Sequence, residues 1–134
     1  MPAADLEGAR WLCERSPLPI VADEAAAAAE DLPRLAGAYH GVNVKLQKCG
    51  GVAPALRMLA TARALGMKAM IGCMIESALG IAAAAQIAPL FDWVDLDGNL
   101  LLARDPFRGH PVVGGRIALT EAPGLGASPS ERDQ

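Results

Sequence analysis

The sequence predicts an α/β fold built around a parallel β-sheet. Short β-rich runs alternate along the chain with segments in which apolar residues recur at helical spacing. Strands separated by helices in this way form βα units and pair in parallel. The β-rich runs are also mainly apolar, which is typical of parallel strands that are covered on both faces.

The composition supports a packed domain and excludes several classes of protein. Among the 134 residues, 52% are hydrophobic and 20% are charged, which suits one domain or half of a large one. The net charge is −3 and no run of Lys or Arg occurs, so a nucleic-acid partner is not expected. No apolar run approaches the ~18 residues of a membrane span. Three cysteines without a CxxC pair favour a reduced, cytoplasmic setting.

The first βα unit occupies the N-terminal third of the chain. Apolar spacing predicts a helix over 5–14, and the Ser-Pro-Leu-Pro segment that follows breaks it. Residues 19–24 then read as a short buried strand. The alanine run 25–29 is compatible with a loop or with a helix start, and a short helix is predicted over 31–36 because proline is tolerated in a first helical turn.

The next elements repeat the same order: strand 41–46, helix 52–65, strand 68–72, helix 79–88 and strand 91–96. Gly66 and Pro89 end the two helices. Residues 100–119 are predicted to be irregular with short strands. The segment 120–134 is rich in Gly, Pro, Ser and charge, so we expect a flexible tail after a domain that spans 1–119.

The arrangement of the sheet is predicted from what the sequence lacks. Neither a GxGxxG fingerprint nor a Walker loop follows any predicted strand, which argues against a nucleotide-binding doubly wound sheet. A barrel of parallel strands is then favoured. A complete (β/α)₈ barrel needs about 250 residues, so the chain has room for about four βα units of a partial TIM barrel.

Ionisable or nucleophilic residues follow each predicted strand. In parallel barrels the chemistry lies at the C-terminal ends of the strands. The ionisable or nucleophilic side chains at these positions are Asp23, Glu24, Lys45, Lys48, Cys73, Glu76, Asp95 and Asp97. Side chains alternate along a strand, so residues two apart share a face. The residues that share a face are Val21 with Asp23, Asn43 with Lys45, Ile71 with Cys73, and Trp93 with Asp95 and Asp97. If these faces point into the barrel, the side chains converge on one mouth.

Charges inside a barrel are costly unless they are paired or bind a metal. Asp23 suits a hard oxygen ligand for Mg²⁺. Lys45 beside such a cation could exchange a proton near neutral pH. Asp95 and Asp97 would attract a substrate ammonium group.

Each of these residues also has a purely structural interpretation. Asp23 could cap the following helix, and Lys45 could mark a sheet edge. Cys73 could be a small buried apolar residue. Glu76 and its neighbouring serine could cap a helix. A calcium loop starting at Asp95 is disfavoured, because glycine and glutamate are missing where the loop needs them.

The motifs taken together resemble the C-terminal half of the enolase superfamily, and in particular its dipeptide epimerase group, typified by L-Ala-D/L-Glu epimerase. The resemblance covers about 5–109, and the DxDG ending is its most discriminating part. It is carried by ADE at 22–24, NVKLQKCGG at 43–51, GCMIESALGI at 72–81, DLDG at 95–98 and DPF at 105–107.

The resemblance implies roles and a mechanism. Asp23 matches the third of three carboxylate ligands to Mg²⁺, and Lys45 matches one of two acid/base lysines on opposite faces of the substrate α-carbon. Cys73 matches a substrate-contacting position, and Asp95 with Asp97 matches the pair that holds the α-ammonium. The implied reaction is a 1,1-proton transfer at the α-carbon of the C-terminal residue of a dipeptide such as L-Ala-L-Glu.

The resemblance also implies missing parts. Family members carry a capping domain and four earlier strands that supply the opposite lysine and two metal carboxylates, and these have no counterpart in the 134 residues. We therefore expect the isolated chain to be inactive and to need a complementary N-terminal half or self-association. The alternatives are a non-catalytic, self-associating half-barrel, and an N-acylamino-acid racemase or o-succinylbenzoate synthase, for which Asp95 and Asp97 would have no ammonium to bind.

Overall fold

A four-stranded parallel sheet forms the centre of the protein. The computed structural model describes residues 2–131. The strands pair in chain order, β1 with β2, β2 with β3 and β3 with β4, and all three pairings are parallel. The predicted α/β fold with a parallel sheet is confirmed. The strands are β1 (Val21–Ala22), β2 (Gly41–Lys45), β3 (Lys68–Gly72) and β4 (Trp93–Val94).

The helices after the first lie between consecutive strands along the chain, and the longest of them packs against the two central strands. Asp5 begins the first helix, because its side chain accepts a hydrogen bond from the backbone N–H of Gly8 at 2.8 Å. A short helix after β2 is not foreseen from the sequence. The helices are α1 (Leu6–Arg15), α2 (Leu32–Leu35), α3 (Leu46–Cys49), α4 (Val52–Ala64) and α5 (Ala78–Ile87).

The outer strands are shorter than predicted. Runs over 19–24 and 91–96 were expected, and only Val21–Ala22 and Trp93–Val94 are paired. Both ladders stop before the neighbouring strand ends: Ala22 pairs with Val42 while β2 continues to Lys45, and Val94 pairs with Ile71 while β3 continues to Gly72. The two central strands, which pair on both sides, match their predicted bounds closely.

Strand register separates the sheet into an apolar face and a polar face. Val42, Val44, Ala69 and Ile71 are fully buried and join the hydrophobic core, which includes residues of α4. On the other face, Asn43 lies beside Met70, Met70 beside Trp93, and Lys45 beside Gly72. This face therefore carries polar and large side chains and one glycine. The polar face therefore carries Lys45, one of the ionisable side chains predicted for the site.

One predicted face is wrong. Alternation along β3 suggested that Ile71 and Cys73 would share the face of Lys45, but Ile71 lies beside Val44 and is buried in the core. Alternation fixes only which residues of one strand share a face, whereas the register with a neighbour decides which face that is. Cys73 reaches the polar end of the sheet because the chain leaves β3 at Gly72.

Short antiparallel pairs follow the sheet, in agreement with the short strands predicted over 100–119. The pairs are β5 (Phe107–Arg108) with β8 (Ser128–Pro129), and β6 (Val112–Val113) with β7 (Arg116–Ile117). Part of the expected flexible tail, 120–134, is thus paired, and residues 132–134 lie outside the described residues. The division at 119 stays a prediction. Within residues 2–131, no helix combines the length and hydropathy needed to cross a membrane.

Candidate functional site

The predicted site residues lie where their strands end. Asp23 follows β1, Lys45 is the last residue of β2, and Cys73 follows β3 directly. Asp95 and Asp97 follow β4, and the backbone N–H of Asp95 still donates to the carbonyl of Ile71. Because the strands are parallel, these ends all lie at one edge of the sheet.

The carboxylate of Asp23 is the centre of a polar cluster. The Nζ atom of Lys45 lies 3.0 Å from Oδ2 of Asp23, and Asn43 donates its side-chain N–H to the same oxygen at 3.3 Å. The Nζ atom of Lys48 binds Oδ1 of Asp23 and also lies 3.0 Å from Oε1 of Glu24. Both oxygens of Asp23 are therefore engaged by ammonium groups.

Charge pairing sets the protonation of this cluster. Burial disfavours the charged form of Asp23, but the hydrogen bonds and charges of Lys48 and Lys45 outweigh it and lower the pKa of Asp23. Burial also disfavours the ammonium of Lys48, and its bonds to Asp23 and Glu24 outweigh that, so the pKa of Lys48 is raised. Asp23 is held as a carboxylate and Lys48 as an ammonium.

The backbone after β2 explains how two lysines reach one carboxylate. Lys45 ends the strand, and α3 begins at the next residue. One helical turn carries Lys48 back over the end of the sheet, because residues three apart lie on one side of a helix. Gly50, with φ of 95°, ends α3, and Gly51, with φ of 117°, precedes α4. The KxxKxGG pattern therefore encodes a lysine pair and a tight turn.

Cys73 and the two aspartates form a second group at the same edge. The Sγ atom of Cys73 lies 4.0 Å from Oδ1 of Asp97 and accepts a hydrogen bond from the N–H of Gly98 at 3.3 Å. Burial raises the pKa of the Cys73 thiol, and the charges of Asp95 and Asp97 add to that effect against the Gly98 hydrogen bond. Cys73 is thus a neutral thiol suited to contact, and a poor nucleophile.

Steric crowding explains why the last residue of the DxDG motif is glycine. A Cβ atom at Gly98 would collide with the backbone carbonyl of Met74 and approach the Sγ atom of Cys73. The loop after β4 can therefore pack against the loop after β3 only without a side chain at this position. This close approach places Asp97 beside Cys73.

Glu76 is buried, and its side chain accepts hydrogen bonds at the loop after β3. Its carboxylate accepts hydrogen bonds from the side chain of Gln47 at 3.1 Å and from the backbone N–H of Met74 at 3.2 Å. It does not cap α5, and the side chain of Ser77 makes no capping bond either. The N–H of Ala78 donates instead to Asp105 at 2.7 Å, so the helix is capped by a residue distant in sequence.

A cavity of about 650 Å³ lies beside β4, between the end of α5 and the β6–β7 hairpin. Asp95 and Asp97 contribute to its wall together with Val94 and other apolar residues. Asp23 and Lys45 do not line it. The cavity therefore adjoins the aspartate pair rather than the lysine–carboxylate cluster.

The residues fit a magnesium ion only in part. Asp23 offers the hard carboxylate that Mg²⁺ prefers. Both of its oxygens are bound by lysines, however, and residues 2–131 contain no group of three or more His, Cys, Asp or Glu side chains placed to hold a metal. Asp23 can supply one ligand, and the described part of the chain does not form a complete metal site.

Sequence reasoning selected Asp23, Lys45, Cys73, Asp95 and Asp97, and the structure adds neighbours to them. Lys48 and Glu24 are among the charged residues at the strand ends, but the sequence predicts no role for them, and for Asn43 it predicts only a strand face. The spacing of Lys45 and Lys48 across a helical turn is the signal that points to Lys48. The contact from Asn43 depends on sheet register.

Comparisons with known proteins agree on one family. The model of the family described as Enolase C-terminal domain-like matches residues 1–133. The L-Ala-D/L-Glu epimerase of Bacteroides thetaiotaomicron is 46% identical over 126 residues, which cover 94% of this chain and 33% of that protein. The chain thus spans about a third of the length of this curated relative.

Solved structures give the same result for the fold. The substrate-liganded L-Ala-D/L-Glu epimerase from Bacillus subtilis superposes with a TM-score of 0.85 at 33% identity, covering 95% of this chain and 37% of that chain. A dipeptide epimerase from Enterococcus faecalis, complexed with Mg and L-Leu-L-Tyr, gives 0.84 at 34% identity over 96% of this chain and 38% of that one. The sheet described above is therefore part of a larger barrel fold.

Proposed function

Because this chain belongs to the enolase C-terminal domain-like family, we propose that it supplies one side of a dipeptide epimerase active site. The reaction is a proton transfer at the α-carbon of the C-terminal residue of a dipeptide such as L-Ala-L-Glu. The observation that carries the proposal is the 3.0 Å contact between Lys45 and Asp23 at the ends of two neighbouring parallel strands. A lysine acid/base beside a hard carboxylate is the pairing that this chemistry needs.

Lys45 acts as one of the acid/base groups. Its side chain is only 15% exposed and ends at Asp23, so the ammonium is held in one place rather than free in solvent. A fixed lysine can deliver or remove a proton at one face of a bound α-carbon. The opposite face would be served by a second lysine from a segment outside these 134 residues.

Asp23 contributes one ligand to Mg²⁺, which would neutralise negative charge on the substrate carboxylate. The remaining ligands would come from a complementary N-terminal half. This assignment gives a partial metal site, in keeping with the finding that residues 2–131 contain no group of three or more potential metal ligands placed to hold an ion.

Asp95 and Asp97 bind the α-ammonium of the dipeptide. Both carboxylates are exposed, and both lie at the strand-end edge that carries Lys45. Two carboxylates beside one ammonium give charge-assisted hydrogen bonds, which are stronger than neutral ones. The neutral thiol of Cys73 lies beside Asp97 and contacts the substrate from the neighbouring loop.

A chimera tests the proposal. The 134 residues replace the matched third of the Bacteroides thetaiotaomicron epimerase, and α-deuterium exchange into L-Ala-L-Glu is followed by NMR. We expect exchange in the chimera, and a loss of at least about a hundredfold in Lys45→Ala, because general acid–base catalysis contributes on this scale.

Lys68→Ala is the matched control, since this lysine begins β3 at the opposite end of the sheet and pairs with Asp92. It should leave exchange unchanged. Full activity in Lys45→Ala, or a folded chimera without exchange, would contradict the proposal.

A further inference from the structure

Asn43 occupies an unusual place for an amide. It lies in the middle of β2 between the fully buried Val42 and Val44, and its own exposure is 8%. Its Nδ2 atom donates to Oδ2 of Asp23 at 3.3 Å, whereas its Oδ1 atom is buried without a hydrogen-bond partner. Among residues 2–131 the side chain thus makes one hydrogen bond, which it donates to the central carboxylate of the site.

Fold stability does not explain this residue. A buried acceptor without a partner destabilises a protein, and an apolar side chain of the same shape at such a site is close to neutral. An asparagine retained there is more readily explained by what its N–H group does. That group donates its hydrogen bond to Asp23.

Asn43 is also the stiffest of the three donors to Asp23. Lys45 and Lys48 reach the carboxylate with long, rotatable chains, whereas Asn43 has two side-chain torsions and a backbone that pairs with Met70 of β3. Lysine ammoniums can follow a carboxylate that turns, but the amide of Asn43 holds one oxygen in one direction. The plane of the Asp23 carboxylate is therefore set from β2.

Gly72 makes room for this amide. It lies in register with Lys45 on the neighbouring strand, and its φ needs no glycine. A Cβ atom there, however, would overlap Oδ1 and Nδ2 of Asn43. Glycine at 72 is thus required by the side chain of Asn43 and not by the backbone.

We propose that Asn43 is a positioning residue that orients the Asp23 carboxylate, and that Gly72 preserves the space in which it does so. The orientation itself can be tested on the chain alone. Its consequence for turnover rests on the proposed epimerase function. Asn43 does not touch the substrate in this account and acts through Asp23.

Two variants of neighbouring residues separate positioning from packing. The ¹³Cγ resonance of Asp23 and the melting temperature are measured on the full chain. Asn43→Leu should shift and broaden the Asp23 signal while the melting temperature stays within about 2 °C of the wild type or rises. Val44→Ala should lower the melting temperature by about 5 °C or more and leave the Asp23 signal in place.

An unchanged Asp23 signal in Asn43→Leu would overturn the proposal. So would a folded Asn43→Leu variant whose melting temperature falls as far as that of Val44→Ala, since Asn43 would then be a packing residue.

A second set of variants decides the matter even if Asn43→Leu does not fold. Gly72→Ala should displace the Asp23 signal by pushing Asn43 aside. In the Asn43→Ala background the same change should add nothing, because the group with which it collides is gone. Recovery of folding in the double variant, if Gly72→Ala alone unfolds, supports the same coupling. Additive shifts, or no shift in Gly72→Ala, would overturn it.

The chimera gives the functional readout. Asn43→Leu should lower kcat about tenfold and change KM less than twofold, because a lost hydrogen bond to a charged group misplaces Asp23 without removing a substrate contact. A raised KM at unchanged kcat would contradict the positioning role. If the unaltered chimera is inactive, the proposed function fails, while the resonance shifts still decide the role of Asn43.

Discussion

At the residue scale, the lysine pair shows how a sequence pattern acquires chemistry. Lys45 and Lys48 both lie near a strand end in the sequence, and an acid/base role is predicted only for Lys45. The structure brings both to Asp23, one to each oxygen. Their difference lies in their second contacts, because Lys48 also binds Glu24. Among residues 2–131, Lys48 thus binds two carboxylates, and Lys45 binds one.

The reactivity of Cys73 gives a prediction at this scale. Its pKa is raised by burial and by the charges of Asp95 and Asp97, so little thiolate should form near neutral pH. In a chain with Cys13→Ser and Cys49→Ser, iodoacetamide should react more slowly than with a free thiol. Asp97→Asn removes one negative charge and should speed the reaction several-fold by lowering that pKa.

The control for this measurement is Glu7→Gln, which changes an exposed carboxylate on α1 far from the thiol in sequence. It should leave the alkylation rate unaltered. A rate that Asp97→Asn does not change would show that the aspartate charge does not act on Cys73.

At the element scale, the accuracy of the sequence prediction follows the number of neighbours of each strand. The central strands, Gly41–Lys45 and Lys68–Gly72, match the prediction almost to the residue, because the ladder between them pairs all five residues of each strand. The outer strands shrink to two residues each. The helix Leu46–Cys49 escaped prediction, since four residues are too few to show a period.

Asp92 links two elements and supports a prediction on acid stability. It binds Arg63 of α4 at 2.6 Å, Lys68 of β3 at 2.9 Å and the N–H of Ala69 at 2.9 Å. The Ala69 hydrogen bond, followed by the two cations, lowers the pKa of Asp92 to about 2. The stabilisation is complete above the unfolded pKa of about 3.9 and is lost as the pH falls through about 2.

Asp92→Asn should therefore lower the free energy of unfolding by about 1 kcal/mol at pH 7, a value reduced by solvent around the ion pairs. The difference from the wild type should shrink between about pH 4 and pH 2. Urea unfolding across this range measures it. Glu14→Gln, which breaks an exposed pair with Arg15, should cost little at any pH. A pH-independent deficit in Asp92→Asn would contradict the charge-based account.

At the scale of the whole molecule, each outer strand of the sheet has an unpaired side. In the part of the chain that the structure describes, β1 pairs only with β2, and β4 pairs only with β3. Val94 on β4 is 51% exposed beside the cavity. The relatives that superpose on this chain are more than twice its length. An exposed strand edge invites further pairing, which is compatible with a complementary half or a second copy.

The chain alone should be catalytically silent. In the proposed function Lys45 serves one face of the α-carbon, whereas the reaction needs acid/base groups on both faces. Residues 2–131 also contain no group of three or more potential metal ligands placed to hold Mg²⁺. The purified 134-residue protein, incubated in D₂O with Mg²⁺ and L-Ala-L-Glu, should incorporate no α-deuterium above a Lys45→Ala control. Incorporation that depends on Lys45 would show that a partial barrel suffices.

The sequence by itself determined the order of helices and strands and the polar residues at the strand ends, because periodicity and breaker residues act locally. Its motifs also indicated the family. Only the tertiary structure decided that Asn43 meets Asp23, that Ile71 faces the core, and that Asp105 caps a helix far from it in the chain. These contacts depend on strand register and loop paths, which are set when the backbone pairs and the core packs, and no local pattern in the chain encodes them.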